Sequence, residues 1–283
     1  MAGSPTPIRR RRLAALLVEF RERAGRSPEE AAERIGCHRS KINRIENARL
    51  GISLGELRDL LKFYGIEDPA DVDHMVSLAR RMREPAWIQR AGLARPTYPD
   101  FIEYERTADR IRSYQSNLIA GLLQTPEYAR EVISAAPSFL KHEDVEALIE
   151  ARMKRQEILD RPDAPRLCVI ESEAALRIEV GGRGVMRRQL EHLETMAGHP
   201  SVEVQVIPNE AGAHIGLTGS FVLLAFPSPW FPDVVCLEQR TGTVFLEHPD
   251  DAAEYAHIFE SLRSTALSPK DSLDMIARVR QEL

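Results

Sequence analysis

Residues 39–47 of this 283-residue chain carry cationic and amide side chains at helical spacing. Ile42 and Ile45 recur about one turn apart and should face a core, which leaves the polar residues on the opposite, solvent-facing side. That outward set is Arg39, Ser40, Lys41, Asn43 and Arg44. Guanidinium, ammonium, amide and hydroxyl groups hydrogen-bond to base edges and phosphates, so the segment predicts contact with DNA.

A second helix must position this face, and the preceding residues predict one that begins at about Pro28. Ser27 can cap this helix, Pro28 suits its first position, and Glu30 stands where a capping box requires it. Gly36 should end it, because glycine adopts the left-handed conformation at little cost. Two short helices joined by a glycine turn predict a helix-turn-helix. The alternative is a helical hairpin whose charges are merely solvated.

The same window resembles the helix-turn-helix of the phage Cro and repressor group, the xenobiotic-response-element family. The residues that carry the resemblance are Ala32, Gly36, Ile42, Ile45, Glu46 and Asn47. In that family the start of the second helix, and a residue one turn later, read bases in the major groove. The resemblance therefore implies base contacts from Arg39, Ser40 and Arg44. The candidates for phosphate contacts are Lys41, Asn43, Asn47 and Arg49.

The charge distribution supports a DNA-binding end on an acidic protein. The formal net charge of the chain is −5, yet residues 1–50 hold twelve Lys or Arg against six Asp or Glu, a net of +6 that leaves −11 on the rest. A basic module on an acidic body concentrates the attraction to phosphates at one end. The arginine run at 9–12 is either an arm that contacts DNA or the solvated start of a helix.

Composition places the chain among ordinary cytoplasmic proteins. Its hydrophobic content of 43% over 283 residues predicts a sizeable core and two domains. No apolar run approaches the ~20 residues of a membrane span, and the first residues lack the apolar core of a secretory signal. The three cysteines are far apart in sequence, which favours buried thiols over a zinc or redox site. No cofactor or metal is expected.

The first domain, residues 1–83, is predicted to be an all-α unit of five helices. Apolar periodicity and start signals place these helices at about 9–25, 28–35, 39–47, 53–64 and 69–83. Residues 84–100 are rich in proline and glycine and predict a linker. Three aromatic residues, Trp87, Tyr98 and Phe101, indicate that this linker is partly docked rather than free.

The second domain, residues 101–283, mixes strand and helix patterns and predicts a mixed α/β fold of the α+β class. Short β-branched runs predict strands at 166–171, 202–207, 220–226, 233–238 and 243–247. The alternation in 202–207 is typical of an edge strand with one wet face. Helices are predicted at 126–136, 143–161, 185–198, 250–265 and 269–281.

This second half also resembles a domain of unknown function that follows Cro-type helix-turn-helix modules in the WhiJ-like group of actinobacterial developmental regulators. The segments that carry the resemblance are 113–130, 151–177, 189–226 and 233–247. In that group the regulator gene often neighbours a gene for a small protein thought to bind the regulator. The resemblance therefore implies a small protein partner encoded nearby.

An enzymatic second domain is the alternative, with an unknown chemistry that the helix-turn-helix would target to DNA. Glu171 and Glu173 lie two apart at the end of a strand and could form an acid–base pair, but a solvated helix start explains Glu173 better. His214 lies between glycine-bearing stretches without a nucleophile at an activating spacing. We therefore expect no catalytic residues.

The expected function is that of a sequence-specific transcriptional regulator, a repressor that binds double-stranded DNA as a homodimer. One recognition helix covers few base pairs, so paired half-sites are needed for specificity. The loop at 209–220, with His214, and the aromatic pair Trp230 and Phe231 between prolines are the predicted partner or ligand surface. No membrane contact is expected.

Overall fold

The computed structural model describes residues 8–79, 86–94, 97–135, 141–227, 232–239 and 242–283. The chain divides into two compact units, Met1–Glu84 and Pro85–Leu283. Each unit has its own core.

The first unit is all-α, as predicted. Its helices are α1 (Ile8–Arg23), α2 (Pro28–Arg34), α3 (Arg39–Glu46), α4 (Leu54–Phe63) and α5 (Pro69–Ala79). The arginine run at 9–12 lies in the first turns of α1, with Arg11 exposed and Arg10 and Arg12 half-buried, so the run begins a helix; whether it contacts DNA stays a prediction. The predicted residues 80–83 of the fifth helix lie outside the described part of the chain.

Apolar residues at helical spacing build the core of this unit. Helices α1, α3 and α4 contribute most of them: Leu13, Leu16, Leu17, Phe20, Ile42, Ile45, Leu57, Leu60 and Leu61 are all buried. Burial of each such side chain stabilises the fold by roughly 1.5–3 kcal/mol. The two isoleucines of α3 are therefore anchors that fix which face of the helix remains in water.

The second unit is built on a six-stranded mixed sheet with the order β3-β2-β1-β4-β5-β6. Its strands are β1 (Arg110–Gln115), β2 (Arg166–Ser172), β3 (Val202–Ile207), β4 (Phe221–Ala225), β5 (Val234–Gln239) and β6 (Gly242–Leu246). β2 pairs in parallel with β1 and β3, whereas β1-β4, β4-β5 and β5-β6 are antiparallel. The α+β class is confirmed, and β3 lies at the edge of the sheet as expected. The predicted wet face is wrong, because Glu203 alone among its residues is half-buried and Gln205 is buried.

Helices cover both faces of this sheet. They are α6 (Ala86–Ala94), α7 (Tyr98–Thr107), α8 (Pro126–Ser134), α9 (His142–Gln156), α10 (Glu173–Arg177), α11 (Arg183–Met196), α12 (Pro249–Thr265) and α13 (Pro269–Glu282). α12 covers one face through a cluster that includes Phe221, Leu223 and Phe259. The opposite face carries Ile111 and Ser113 and is overlain by α7, α8 and α9.

Two features of this unit differ from the sequence-based expectation. The predicted linker contains helix α6 and the start of α7; α6 packs on α9, and its residues Ile88 and Ala91 are buried. Tyr98 and Phe101 are buried as well, so this segment is part of the second unit. The central strand β1 was not predicted, because its sequence RIRSYQ alternates arginine with other residues rather than showing an apolar run.

Candidate nucleic-acid interface

The helix-turn-helix begins at a complete capping box. The backbone N–H of Glu30 donates to Ser27 Oγ at 3.2 Å, and the backbone N–H of Ser27 donates to Glu30 Oε2 at 2.8 Å. The bond from the Ser27 N–H, together with one from the Ser27 hydroxyl, lowers the pKa of the Glu30 carboxyl. Gly36 has a φ of 66°, the left-handed value that the turn requires. The predicted start and end of α2 are therefore confirmed.

His38 caps the second helix, a role that was not predicted. Its ring Nδ1 accepts a hydrogen bond from the backbone N–H of Ser40 at 3.3 Å and lies 3.0 Å from Ser40 Oγ. Histidine is an uncommon cap, so residue preferences alone do not point to it. The Ser40 hydroxyl thus has a protein partner that a base would have to replace.

The side chains of α3 divide into a buried and an exposed set. Ile42 and Ile45 are 1% and 3% exposed. The exposed residues of the helix and the turn after it are Arg39, Ser40, Asn43, Arg44, Asn47 and Arg49, while Lys41 is half-buried. All seven side chains predicted to contact DNA thus lie on one helix or directly after it, and six of them are exposed.

Acidic neighbours already hold two of the cationic side chains. Arg39 Nη1 lies 2.7 Å from Glu29 Oε1, and both side chains are more than half exposed, so water weakens this pair. Lys41 Nζ donates to Glu56 Oε1 and lowers the pKa of that carboxyl. By contrast, Arg44 and Arg49 make no side-chain hydrogen bond or ion pair within the described part of the chain.

A part-buried ion pair fixes the C-terminal end of α3. Arg21 Nε donates to Glu46 Oε1 at 2.7 Å and Arg21 Nη2 donates to Glu46 Oε2 at 3.1 Å, while Arg21 Nη1 donates to the carbonyl of Arg26 at 3.0 Å. Both side chains are about 10% exposed. The bond to Glu46 raises the pKa of Arg21, although burial opposes it. This fork joins α1 to the end of α3.

Loss of this fork is expected to destabilise the first unit. Glu46→Ala should lower its free energy of unfolding by about 2 kcal/mol, because the guanidinium of Arg21 would remain desolvated without its anion. Urea denaturation followed by circular dichroism measures the change. Glu22→Ala is the matched control, since Glu22 is 66% exposed and only 3.7 Å from the same arginine. Equal losses for the two variants would contradict a structural role for Glu46.

The predicted sites of the second unit are dispersed. His214 caps a short 3₁₀ turn by accepting from the backbone N–H of Gly216 at 3.2 Å, and its ring packs edge-on against Tyr114. Trp230 and Phe231 lie outside the described residues. The half-buried His214 therefore has a local structural role, and the aromatic part of the predicted surface stays a prediction.

Glu171 and Glu173 have separate partners. Glu171 is fully buried, accepts from the backbone N–H of Ala120 at 2.8 Å, and burial raises its pKa to about 8. Burial would also raise the pKa of Glu173, but the bonds from the Asn209 N–H and from Arg177 outweigh it and lower that pKa. Glu173 begins α10 as predicted, yet it is buried rather than solvated.

Comparison with protein families accounts for both units. A family described as a domain of unknown function, DUF5753, matches residues 98–278, which is more than half of the chain. The chain belongs to the DUF5753 family. A helix-turn-helix domain family matches residues 12–75, which includes α2, α3 and the turn between them. No curated protein and no solved structure matches the chain.

This DUF5753 protein is thus a DNA-binding regulator of the helix-turn-helix type. Within its described residues, no helix combines the length and apolar character needed to cross a membrane. In that same part of the chain, no three His, Cys, Asp or Glu side chains are grouped as a metal ion would require.

Proposed function

We propose that this protein is a sequence-specific transcriptional repressor of the WhiJ-like group that binds paired DNA half-sites as a homodimer. The observation that carries the proposal is the exposed polar face of α3 and of the turn after it, where Arg44 and Arg49 respectively are exposed and have no side-chain partner among the described residues. Two arginines left unpaired beside a buried isoleucine anchor are available to bases and phosphates.

The residues of this face have different roles in the proposal. Arg44 and Arg39 read guanine edges, for which a guanidinium fork is the best-suited donor, and Ser40 makes a third base contact. Arg39 must first exchange its contact with Glu29, a step that costs little because both side chains are solvated. The phosphate contacts come from Arg49, Asn43, Asn47 and, to a smaller extent, Lys41, whose ammonium group is held by Glu56.

The second unit has a regulatory rather than a catalytic role in this proposal. It mediates dimerisation and responds to a small protein encoded nearby or to a ligand. The two carboxyls have separate partners, which supports this assignment over an acid–base pair: Glu171 Oε1 accepts from the Ala120 N–H, and Glu173 accepts from Arg177 and from the Asn209 N–H. A dimer places two recognition helices on half-sites one helical turn apart.

Titration of DNA with single-arginine variants tests the assignment. Arg44→Ala should cost about 1–3 kcal/mol on the selected site and much less on random DNA. Arg49→Ala should weaken binding to both DNAs and reduce the slope of log K against log salt by about 1. The measurement is fluorescence anisotropy at several salt concentrations, on an operator obtained by selection from random duplexes.

The matched control is Arg58→Ala on α4, because Arg58 is also exposed but lies outside α3. It should leave the affinity for the selected site nearly unchanged. If Arg44→Ala lowered the affinity for selected and for random DNA equally, Arg44 would not read bases, and the proposed division of roles would be wrong.

A further inference from the structure

The second unit contains a cavity of about 640 Å³ between one face of the sheet and helices α7, α8 and α9. The cavity lies far in sequence from the loop and the aromatic pair predicted to form a ligand surface. Its volume falls in the range of sites that enclose small organic molecules. Interiors of proteins are normally close-packed, so a space of this size is a feature to explain.

The lining of the cavity is part apolar and part polar, and polar side chains form its floor. Apolar side chains from five elements contribute to the walls, among them Phe101, Ile111, Ile133, Leu148 and Val222. Ser113 and Gln115 of the central strand β1 supply the floor, where Gln115 Nε2 donates to Ser113 Oγ at 2.9 Å. This explains why the central strand carries polar residues.

Two arginines line the cavity, and only one of them has an acidic partner. Arg155 forms a closed, two-bond pair with Glu105, so these charges cancel. Arg152 Nη1 donates instead to the neutral amide oxygen of Gln124 at 2.7 Å, and its Nε is buried without a partner. Among the residues that the structure describes, no carboxylate lies within ion-pair distance of Arg152.

The backbone beside Arg152 leaves room for its guanidinium. A Cβ atom at Gly121 would lie 3.1 Å from Arg152 Nη1, so a side chain there would press on this group. At the rim, Leu118 is 38% exposed although it is a large apolar residue. Glu238 also lines the cavity, but it is exposed and forms no ion pair with Arg152. The site thus combines one cation without an ion-pair partner, a donor without a partner and an apolar surface that water can reach.

We propose that this cavity binds a small acidic amphiphile, with its carboxylate on Arg152 and its apolar body against the walls of the cavity. The guanidinium of Arg152 has no ion-pair partner inside a partly enclosed space, where a charge-assisted bond is stronger than in water. The apolar walls favour a hydrophobic body over an inorganic anion. This inference stands on the second unit alone and does not rest on the proposed DNA binding.

Isothermal titration calorimetry of the full-length protein tests the site with two pairs of ligands, each an acid and its neutral alcohol. The first pair is decanoate and decanol, and the second is naphthalene-2-carboxylate and naphthalene-2-methanol. At least one acid should bind saturably below about 1 mM. Arg152→Gln should lower the affinity for that acid at least tenfold and the affinity for its alcohol much less, because only the acid carries a charge that pairs with the guanidinium. Arg187→Gln, an exposed arginine on α11, is the matched control and should change neither.

A second variant tests the place of binding. Ala135→Trp adds bulk at the exposed rim of the cavity and should lower the affinity for the acid and for the alcohol alike. The circular dichroism spectrum should remain that of the native protein. Equal affinity of the acid for the native protein and for Arg152→Gln would overturn the proposal. The absence of saturable binding of both acids to the native protein would overturn it too, as would an unchanged affinity in Ala135→Trp.

Discussion

Replacing Arg155 with methionine is expected to lower the free energy of unfolding of the second unit by about 3–5 kcal/mol. Arg155 Nε donates to Glu105 Oε2 at 2.6 Å, Nη2 donates to Oε1 at 2.7 Å, and Nη1 donates to the Tyr98 hydroxyl at 2.6 Å. Its guanidinium also lies 4.6 Å from the centre of the Phe101 ring. The substitution leaves the carboxylate of Glu105 buried without its cation.

The double variant Arg155→Met, Glu105→Leu separates the attraction from the penalty of an unpaired charge. It should recover most of the loss, because two apolar side chains need no partner. The matched control is Arg130→Ala, which breaks the exposed pair with Glu146 and should change stability far less. Urea denaturation measures the free energy of unfolding of Arg155→Met, of the double variant and of Arg130→Ala. Similar losses for Arg155→Met and Arg130→Ala would contradict the role assigned to the buried pair.

The stability of the second unit is expected to fall as the pH rises from about 5 to 8, and Glu171→Gln should remove most of that dependence. Burial raises the pKa of Glu171 to about 8, so the folded protein retains a proton that the unfolded chain releases near its ordinary value of 4.5. The stabilisation is complete below the unfolded pKa and is lost through the folded one. The change is on the order of 3 kcal/mol.

Thermal unfolding of the wild type and Glu171→Gln between pH 5 and 8.5 measures this effect. Glutamine still accepts the bond from the Ala120 N–H but cannot ionise. The variant should therefore unfold at a higher temperature than the wild type above pH 8. Glu173→Gln is the contrasting control. Because its pKa is lowered in the fold, that carboxylate stabilises the protein above its unfolded pKa, and its loss should matter at neutral pH rather than in acid. Parallel pH profiles for wild type and Glu171→Gln would contradict the assignment.

Local patterns in the sequence were sufficient to predict the helix-turn-helix. The capping box at Ser27 and Glu30 and the left-handed turn at Gly36 each depend on residues three or four apart, and the structure has both. The isoleucines of α3 are buried as their spacing predicts. Signals of this kind depend on backbone geometry that a single segment determines by itself.

Contacts between distant segments could not be predicted in the same way. Arg21 and Glu46 are 25 residues apart, and nothing local marks either as the partner of the other. The central strand β1 escaped prediction because Ser113 and Gln115 face the cavity instead of a dry core. The linker prediction at 84–100 relied on its Pro and Gly content, whereas burial of Ile88 and Ala91 stabilises a helix there.

The most direct measurement for the central claim is a genome-wide pull-down of the DNA bound by the wild type, by Arg44→Ala and by the control Arg58→Ala. We expect discrete peaks that share a paired motif about one helical turn apart, lost in Arg44→Ala and kept in Arg58→Ala. Diffuse binding that neither substitution changes would contradict sequence-specific recognition by α3 and would leave the helix-turn-helix without a reading function.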